Sequence, residues 1–391
     1  MMTQKSVATA DKPVQDEVVD ILRHLVQTDS VNPSLVPGAA GEGKIAGYIA
    51  DTMRSAGLEV RVDEVAPGRP NVVSVLEGHS PGRSLMFCGH IDTVTVAGMK
   101  TPFDPVICDN RLYGRGSQDM KGGVAAMMGT ALHLAKNGGL AAGKLIVAAV
   151  ADEEYASLGA EALVKRWHAD AAVVPEPTDL TIAFGHKGFA WIEVAAEGRA
   201  AHGSRPQDGR DAIFRMARIL SRLEQLDREL QRRPAYAVQG TGSLHASLIS
   251  GGRELSSYPD RCVMQFERRT TSAEPQGTAL EEVQKIIDEL TKEDPEFAAS
   301  ATLLFDRAPF ETPTNHPIIE FLERAVQTTG RTPQRGGVSF WTDAAVLASA
   351  SIPTVVFGPG GEGLHSVEEY VRISEVVACR DALVDLARQF C

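Results

Sequence analysis

The sequence predicts an α/β protein, a mostly parallel sheet covered by helices on both faces, with a ferredoxin-like α+β module inserted into it. Three observations carry that expectation. Short apolar runs of strand character, Ser84 to Cys88, Leu145 to Val150, Ala171 to Val174 and Thr354 to Phe357, alternate with segments of helical period. From about Lys187 to Leu304 the order changes to β-α-β-β-α-β, the pattern of a compact ferredoxin-like unit. The final strand-like run leads into a histidine-bearing loop that matches the polar ends of the earlier runs, so the chain is expected to return to its first domain. A length of 391 residues exceeds what one hydrophobic core usually serves. Two domains are therefore expected: residues 1–186 with 306–391, and residues 187–305.

The elements follow in order. The polar first ten or so residues are expected to fray, and a helix beginning near Val14 would place Val18, Ile21, Leu22 and Leu25 on one face. A second helix is expected from Gly43 to Ala56, with Gly57 closing it. A third, rich in small residues, should run from Gly122 to about Lys136 and stop at Asn137-Gly138-Gly139. Inside the module, strands are expected at 188–196, 244–250, 260–267 and 297–304, and helices at 210–230 and 279–290. Beyond it, Pro317 to Thr328 reads as a helix, followed by Thr342 to Ala350. No internal repeat or low-complexity linker is present.

Composition narrows the function classes. A hydrophobic content of 43% and a charged content of 23% are ordinary for a globular protein. A formal net charge of -12, with no Lys/Arg cluster, argues against a nucleic-acid partner. Five scattered cysteines without C-x-x-C spacing read as reduced thiols. No apolar run of about 18 residues argues for a membrane span, and no leader pattern opens the chain, so a cytoplasmic location is expected.

Chemistry concentrates just past the strand-like runs, at Gly89-His90-Ile91-Asp92-Thr93, at Arg115 to Gly123, at Asp152-Glu153-Glu154 and at Pro175-Glu176-Pro177-Thr178. The last run feeds Gly358-Pro359-Gly360-Gly361, ahead of His365. In open α/β sheets, ligands bind outside the carboxyl ends of the strands, where such loops converge. Carboxylate and imidazole donors without cysteine suit zinc, cobalt or manganese. Five donors are too many for one catalytic zinc, which usually keeps three protein ligands and an open position. If two ions share Asp119, each has three protein ligands and room for a bridging water.

A lone His-x-Asp is common on protein surfaces, but four companion segments favour a ligand role for His90. Glu153-Glu154 could be an acidic first turn of a helix; after an apolar strand, a functional role is favoured. His24, His79, His133, His168, His186, His245 and His316 lack such company and read as structural or solvated. The glycine loop before His365 lacks the Lys-Ser/Thr ending of a phosphate loop.

These motifs resemble the metallopeptidase family that includes acetylornithine deacetylase, succinyl-diaminopimelate desuccinylase, aminoacylase and a bacterial glutamate carboxypeptidase. The likeness extends from Thr28-Asp29-Ser30-Val31-Asn32-Pro33 to Leu364-His365-Ser366. It implies that His90 and Glu176 complete one metal site, that Glu154 and His365 complete the other, and that Asp119 bridges them. It further implies that Asp92 accepts the second imidazole N–H of His90, that Glu153 is the general base, and that the Asp119-Met120 peptide is cis. In the inserted module, His202, within Ala201-His202-Gly203-Ser204-Arg205-Pro206, would stabilise the oxyanion. Arg269 would hold the substrate's free carboxylate, and Gly358 and Gly360 would line the acyl or carboxylate pocket through backbone N–H groups. The chain departs from the usual pattern at Ser256, where relatives often carry Asn, and at Thr270 to Ala273.

The expected protein is thus a cytosolic hydrolase with two divalent ions, zinc before cobalt or manganese, acting on a small N-acyl-L-amino acid and closest in type to acetylornithine deacetylase. Rival expectations are desuccinylation of a diamino acid, cleavage of a dipeptide-like amide, and a catalytically silent small-ligand binder. The resemblance also implies that the inserted module serves as lid and dimerisation domain, with His202 reaching the active site of a partner subunit in a homodimer.

Overall fold

A computed structural model describes residues 16–236 and 238–391. The first helix, α1 (Glu17–Gln27), is capped by Asp16, whose carboxylate accepts the Val18 N–H at 3.0 Å. Val18, Ile21, Leu22 and Leu25 are all buried; a start near Val14 falls outside the described residues. Helix α2 (Gly43–Ser55) ends at Gly57, whose φ of 86° is the left-handed turn that glycine adopts without a Cβ penalty. A hairpin of β1 (Glu59–Ala66) and β2 (Arg69–Glu77) precedes β3 (Ser84–His90). Short strands β4 (Val106–Cys108) and β5 (Arg111–Tyr113) follow. An irregular turn, Ser117–Lys121, enters α3 (Gly122–Lys136), whose small residues allow it to be buried along most of its length. Then come β6 (Lys144–Val150), α4 (Leu158–Leu163), β7 (Ala171–Val174) and β8 (Thr181–His186).

The inserted stretch comprises β9 (Gly188–Glu197), α5 (Ala212–Arg232), β10 (Ser243–Gly251), β11 (Arg261–Thr270), α6 (Thr278–Glu293), β12 (Ala298–Arg307) and the short β13 (Phe310–Glu311). The chain continues through α7 (Pro317–Thr328), β14 (Gln334–Val338), α8 (Ala344–Ser349), β15 (Thr354–Val356), β16 (Gly361–Glu362), β17 (Tyr370–Arg372) and α9 (Ile373–Phe390).

The chain divides into two compact units. One holds the described residues up to Phe184, Thr312–Gly336 and Thr342–Cys391; the other holds Gly185–Glu311 and Gly337–Trp341. These limits differ from the expected borders at 187 and 305, and they move Gly337–Trp341 into the inserted unit. The cause is packing: the Trp341 ring lies edge-on to Phe189, 6.3 Å between centroids, and near His186, both within that unit.

In the first unit the sheet runs β1-β2-β6-β3-β7-β15-β8. Its heart is parallel, with β3 between β6 and β7, and β7 beside β15. The pairings His90↔Val150 and Val356↔Val174 bring the carboxyl ends of these strands to a common edge. The hairpin β1-β2 joins this core antiparallel. In the second unit, β10-β11-β9-β12 form an antiparallel sheet backed by α5 and α6, with Ile192, Val194, Met216, Met264, Phe266 and Ile287 in its core. All five cysteines are unpaired. Among the described residues, no helix is long and apolar enough to cross a membrane.

Candidate metal centre

Five segments deliver the site, and each is placed by an element end of the first unit. His90 is the last residue of β3, Glu153 and Glu154 follow β6, Glu176 follows β7, and His365 lies in the loop between β16 and β17. Asp119 sits at the centre of the turn before α3, where it and Met120 leave helical geometry and are joined by a cis peptide bond.

The two oxygens of Asp119 face different partners. Oδ1 lies 3.1 Å from His90 Nε2, and Oδ2 lies 3.3 Å from His365 Nε2. Glu176 Oε1 is 3.7 Å from His90 Nε2, while Glu154 Oε2 is 3.2 Å from His365 Nε2. Two adjoining groups result, His90-Asp119-Glu176 and Asp119-Glu154-His365, each with its donor atoms within 4.8 Å of one another. Glu153 Oε2 approaches His90 Nε2 to 3.9 Å but belongs to neither group.

Electrostatics marks the cluster as cation-seeking. Burial pushes the Glu153 and Glu176 carboxyls well above their ordinary range, and neighbouring carboxylates add to the shift against the pull of His90. Glu154 rises to about 7, chiefly through burial and then through Asp119. Hydrogen bonds to Asp119 and Glu154 raise His365 to about 10. Burial opposes the low value of Asp119, yet hydrogen bonds from His365 and His90 prevail. Glu154 Oε1 is buried without a hydrogen-bond partner. An unpartnered carboxylate oxygen among five acidic or imidazole donors fits a divalent cation, since buried charges are normally paired or metal-bound.

The surrounding contacts refine the expected role of Asp92. His90 Nδ1 lies 3.0 Å from the Asp92 backbone carbonyl and 3.5 Å from its carboxylate, so the carbonyl is the nearer acceptor. The carboxylate instead accepts the N–H groups of Glu153 and Glu154 at 3.1 and 3.2 Å, and the Asn32 amide at 2.7 Å. Asn32 also donates to Asp152, which Arg69 pairs at 2.8 Å while gripping Glu42. This buried network holds the Glu153-Glu154 turn behind Asp152, whose φ of 71° is uncommon for a residue with a side chain. Neither Arg69 nor this use of Asn32 was read from the sequence. Asn32 lay within the Thr28-to-Pro33 motif, but the partners of Arg69 are 27 and 83 positions away.

Two glycine expectations need correction. Gly358 donates its N–H to Thr178 Oγ1 at 3.1 Å, and Gly360 donates to Glu375 at 2.8 Å, so neither group is presented to a ligand. Both glycines serve close packing: a Cβ at Gly358 would lie 2.3 Å from the Pro175 carbonyl oxygen, and one at Gly360 only 1.7 Å from Asp179. In the second unit, Arg269 pairs with Glu267 at 2.6 Å and stacks over Phe189. His202, in the same unit, is hydrogen-bonded through Nδ1 with the Ser204 hydroxyl at 2.8 Å.

A helix-covered, mostly parallel sheet with two adjoining carboxylate–imidazole groups at its strand ends defines a metal-dependent hydrolase. The comparisons agree and narrow the class. An acetylornithine deacetylase from Myxococcus xanthus is 30% identical over 386 residues, covering 95% of this chain and 96% of the relative. An N-formyl-4-amino-5-aminomethyl-2-methylpyrimidine deformylase from Bacillus subtilis is 28% identical, covering 96% and 95%. Among solved structures, aminopeptidase PepT from Bacillus cereus matches with a TM-score of 0.79 at 21% identity, over 95% of this chain and 98% of that one. The chain belongs to peptidase family M20/M25/M40, whose pattern it matches over residues 86–389.

Proposed function

We propose that this hydrolase cleaves the amide bond of an N-acyl-L-amino acid, in the manner of an acetylornithine deacetylase. The observation that carries the substrate class is the likeness to the Myxococcus deacetylase along nearly the full length of both chains. The division of Asp119 between two donor groups, with Glu153 in neither, supports the reaction.

Two divalent ions, zinc before cobalt or manganese, suit the donors, with His90 and Glu176 on one side of Asp119 and Glu154 and His365 on the other. When bound, such a pair lowers the pKa of water and polarises the scissile carbonyl. Glu153 then takes the water's proton and returns it to the leaving amine. Its place beside His90 and outside both donor groups leaves the Glu153 carboxylate available for both halves of that transfer. Asp92 orients His90 through its carbonyl and the Glu153-Glu154 turn through its carboxylate. Arg269 releases Glu267 to hold the substrate carboxylate, and His202 stabilises the oxyanion from a partner subunit of a cytoplasmic homodimer, in which the inserted domain is the pairing surface.

The deformylase relative favours a second reading, removal of a formyl group from an aromatic aminomethyl compound. A panel of N-acetyl, N-succinyl and N-formyl amino acids, dipeptides and formylaminomethylpyrimidines, assayed with zinc, cobalt and manganese, separates the two. The highest kcat/KM should fall on an N-acetyl amino acid. Preference for the pyrimidine would establish the second reading, and no turnover of any member, with ligand binding retained, would establish a silent binder.

A further inference from the structure

The carboxylate of Glu369 is buried against the turn that carries Asp119, and no expectation from the sequence included it. Oε2 accepts the Gly116 N–H at 2.9 Å and the Arg115 guanidinium at 2.7 Å. Oε1 accepts the Gln118 N–H at 2.9 Å and the Asp119 N–H at 3.2 Å. Glu369 is 1% exposed and Arg115 2%. One carboxylate therefore neutralises three backbone donors in the turn where the helical ladder is broken, a place where buried N–H groups would otherwise lack acceptors.

The same grip reaches the opposite side of the candidate centre. Glu369 stands four positions after His365, and its own carbonyl accepts the Gly114 N–H at 3.1 Å. Arg115 donates to the Ser366 carbonyl, next to His365, at 2.9 Å and to the Thr95 carbonyl, beyond His90-Asp92, at 3.1 Å. His365 itself has φ 57°, a conformation that its neighbours must impose. The histidine side chain is half-exposed and meets Asp119 and Glu154 through Nε2. Its placement thus depends on the segment Ser366–Glu369 being pinned to the Asp119 turn.

We propose that Glu369 is a positioning residue for the second donor group, fixing the Asp119 turn and the His365 loop in one geometry so that both can hold a metal ion. The inference rests on the reading of the two groups as metal sites. Bidentate acceptance matters more than bulk at this point. Glu369→Gln keeps the shape but turns an –NH2 group towards either the Asp119-Gln118 donors or the Gly116-Arg115 donors, so one pair loses its acceptor. Glu369→Asp keeps the charge and withdraws it by one methylene.

The test measures binding rather than turnover. Metal-free native protein, Glu369→Gln and Glu369→Asp are titrated calorimetrically with zinc and, separately, manganese, with near-ultraviolet circular dichroism to establish that each is folded. Native protein should bind two ions. The variants should retain one ion more tightly than the other, with affinity for the weaker site reduced roughly 10–100-fold, the usual range when a residue supporting a ligand is removed. Amide hydrogen exchange at Gly116, Gln118 and Asp119 should quicken in the metal-free variants while exchange within α3 stays as in the native protein. A residue that merely stabilised the fold would lower the melting temperature and leave the affinities of the folded variant unchanged. Folded variants that bind both ions within about threefold of native would overturn the role of Glu369. Native protein that binds no ion would instead overturn the metal reading and this inference with it.

Discussion

Glu153 and Glu154 are adjacent in sequence but separate in placement. Glu154 Oε2 lies 3.2 Å from His365, whereas Glu153 stands 3.9 Å from His90 and outside both donor groups. Glu153→Gln should therefore keep both metals, as measured by elemental analysis after gel filtration, while kcat falls roughly 10²–10⁴-fold. Metal loss with near-normal kcat on remetallation would sink the assignment. The donors also make binding pH-dependent. His365, raised to about 10 by Asp119 and Glu154, carries a proton at neutral pH in the metal-free protein, and Glu154, raised to about 7 chiefly by burial, carries one below neutrality. Each must lose that proton to become a ligand, so metal binding releases protons and tightens as pH rises. Affinity at the site these two residues complete should climb most steeply below about pH 7, where both contribute, and continue at about one proton up to about pH 10. Calorimetry in buffers of different ionisation enthalpy reads the released protons directly; an affinity independent of pH between 6 and 8 would contradict the account.

At the scale of elements, packing around α3 decides whether Glu176 can reach its partners. A Cβ at Gly123 would lie 1.9 Å from the Pro175 carbonyl oxygen, directly before Glu176, so only glycine lets the helix approach. Gly123→Ala should cost at least about 1–3 kcal/mol in urea unfolding, as overpacking does, and should weaken metal binding as well. Gly138→Ala is the control, since nothing lies within 4 Å of its Cβ and only the φ of 90° opposes it, at about 1 kcal/mol. Equal losses in the two variants would show that close approach is not the cause. The long elements were legible in the sequence: Gly122–Lys136 and Pro317–Thr328 stand where they were expected, and Ala171–Val174 spans its apolar run. His90, Glu154 and Glu176 were legible as candidate donors because each follows such a run, whereas Asp119 lies in the irregular turn Ser117–Lys121 ahead of α3. Strands of two or three residues, such as Gly361–Glu362, Tyr370–Arg372 and Arg111–Tyr113, carry too few positions to show a period. Glu369 carries no local signal beyond its acidic neighbour Glu368, and its partners are about 250 positions away. The glycine loop was misread for a similar reason: the acceptors of its N–H groups, Thr178 and Glu375, come from distant segments.

For the whole molecule, the proposed role of His202 has to bridge two units, since His202 belongs to the inserted unit and the candidate centre is built from the other. Delivery from a partner subunit makes a prediction that delivery within one chain does not. An oxyanion donor is worth roughly 10²–10³ in kcat, so both Glu153→Ala and His202→Ala homodimers should be nearly inactive. In a mixed dimer, the His202→Ala chain keeps its own Glu153 and receives an intact His202 from the Glu153→Ala chain, so one of its two sites is complete. Random reassortment makes about half of the dimers mixed, each mixed dimer holding one competent site of two, and activity should recover to roughly a quarter of native. Differently tagged subunits, unfolded together, refolded and purified through both tags, would isolate the mixed dimer and raise the expected recovery to about half of native. The substrate panel fixes which compound to assay, and sedimentation establishes that the purified species is a dimer. If that dimer stays as inactive as its parents, His202 acts within its own chain or takes no part in the reaction. A monomer in sedimentation at the assay concentration, with full native activity, would remove the need for a partner altogether.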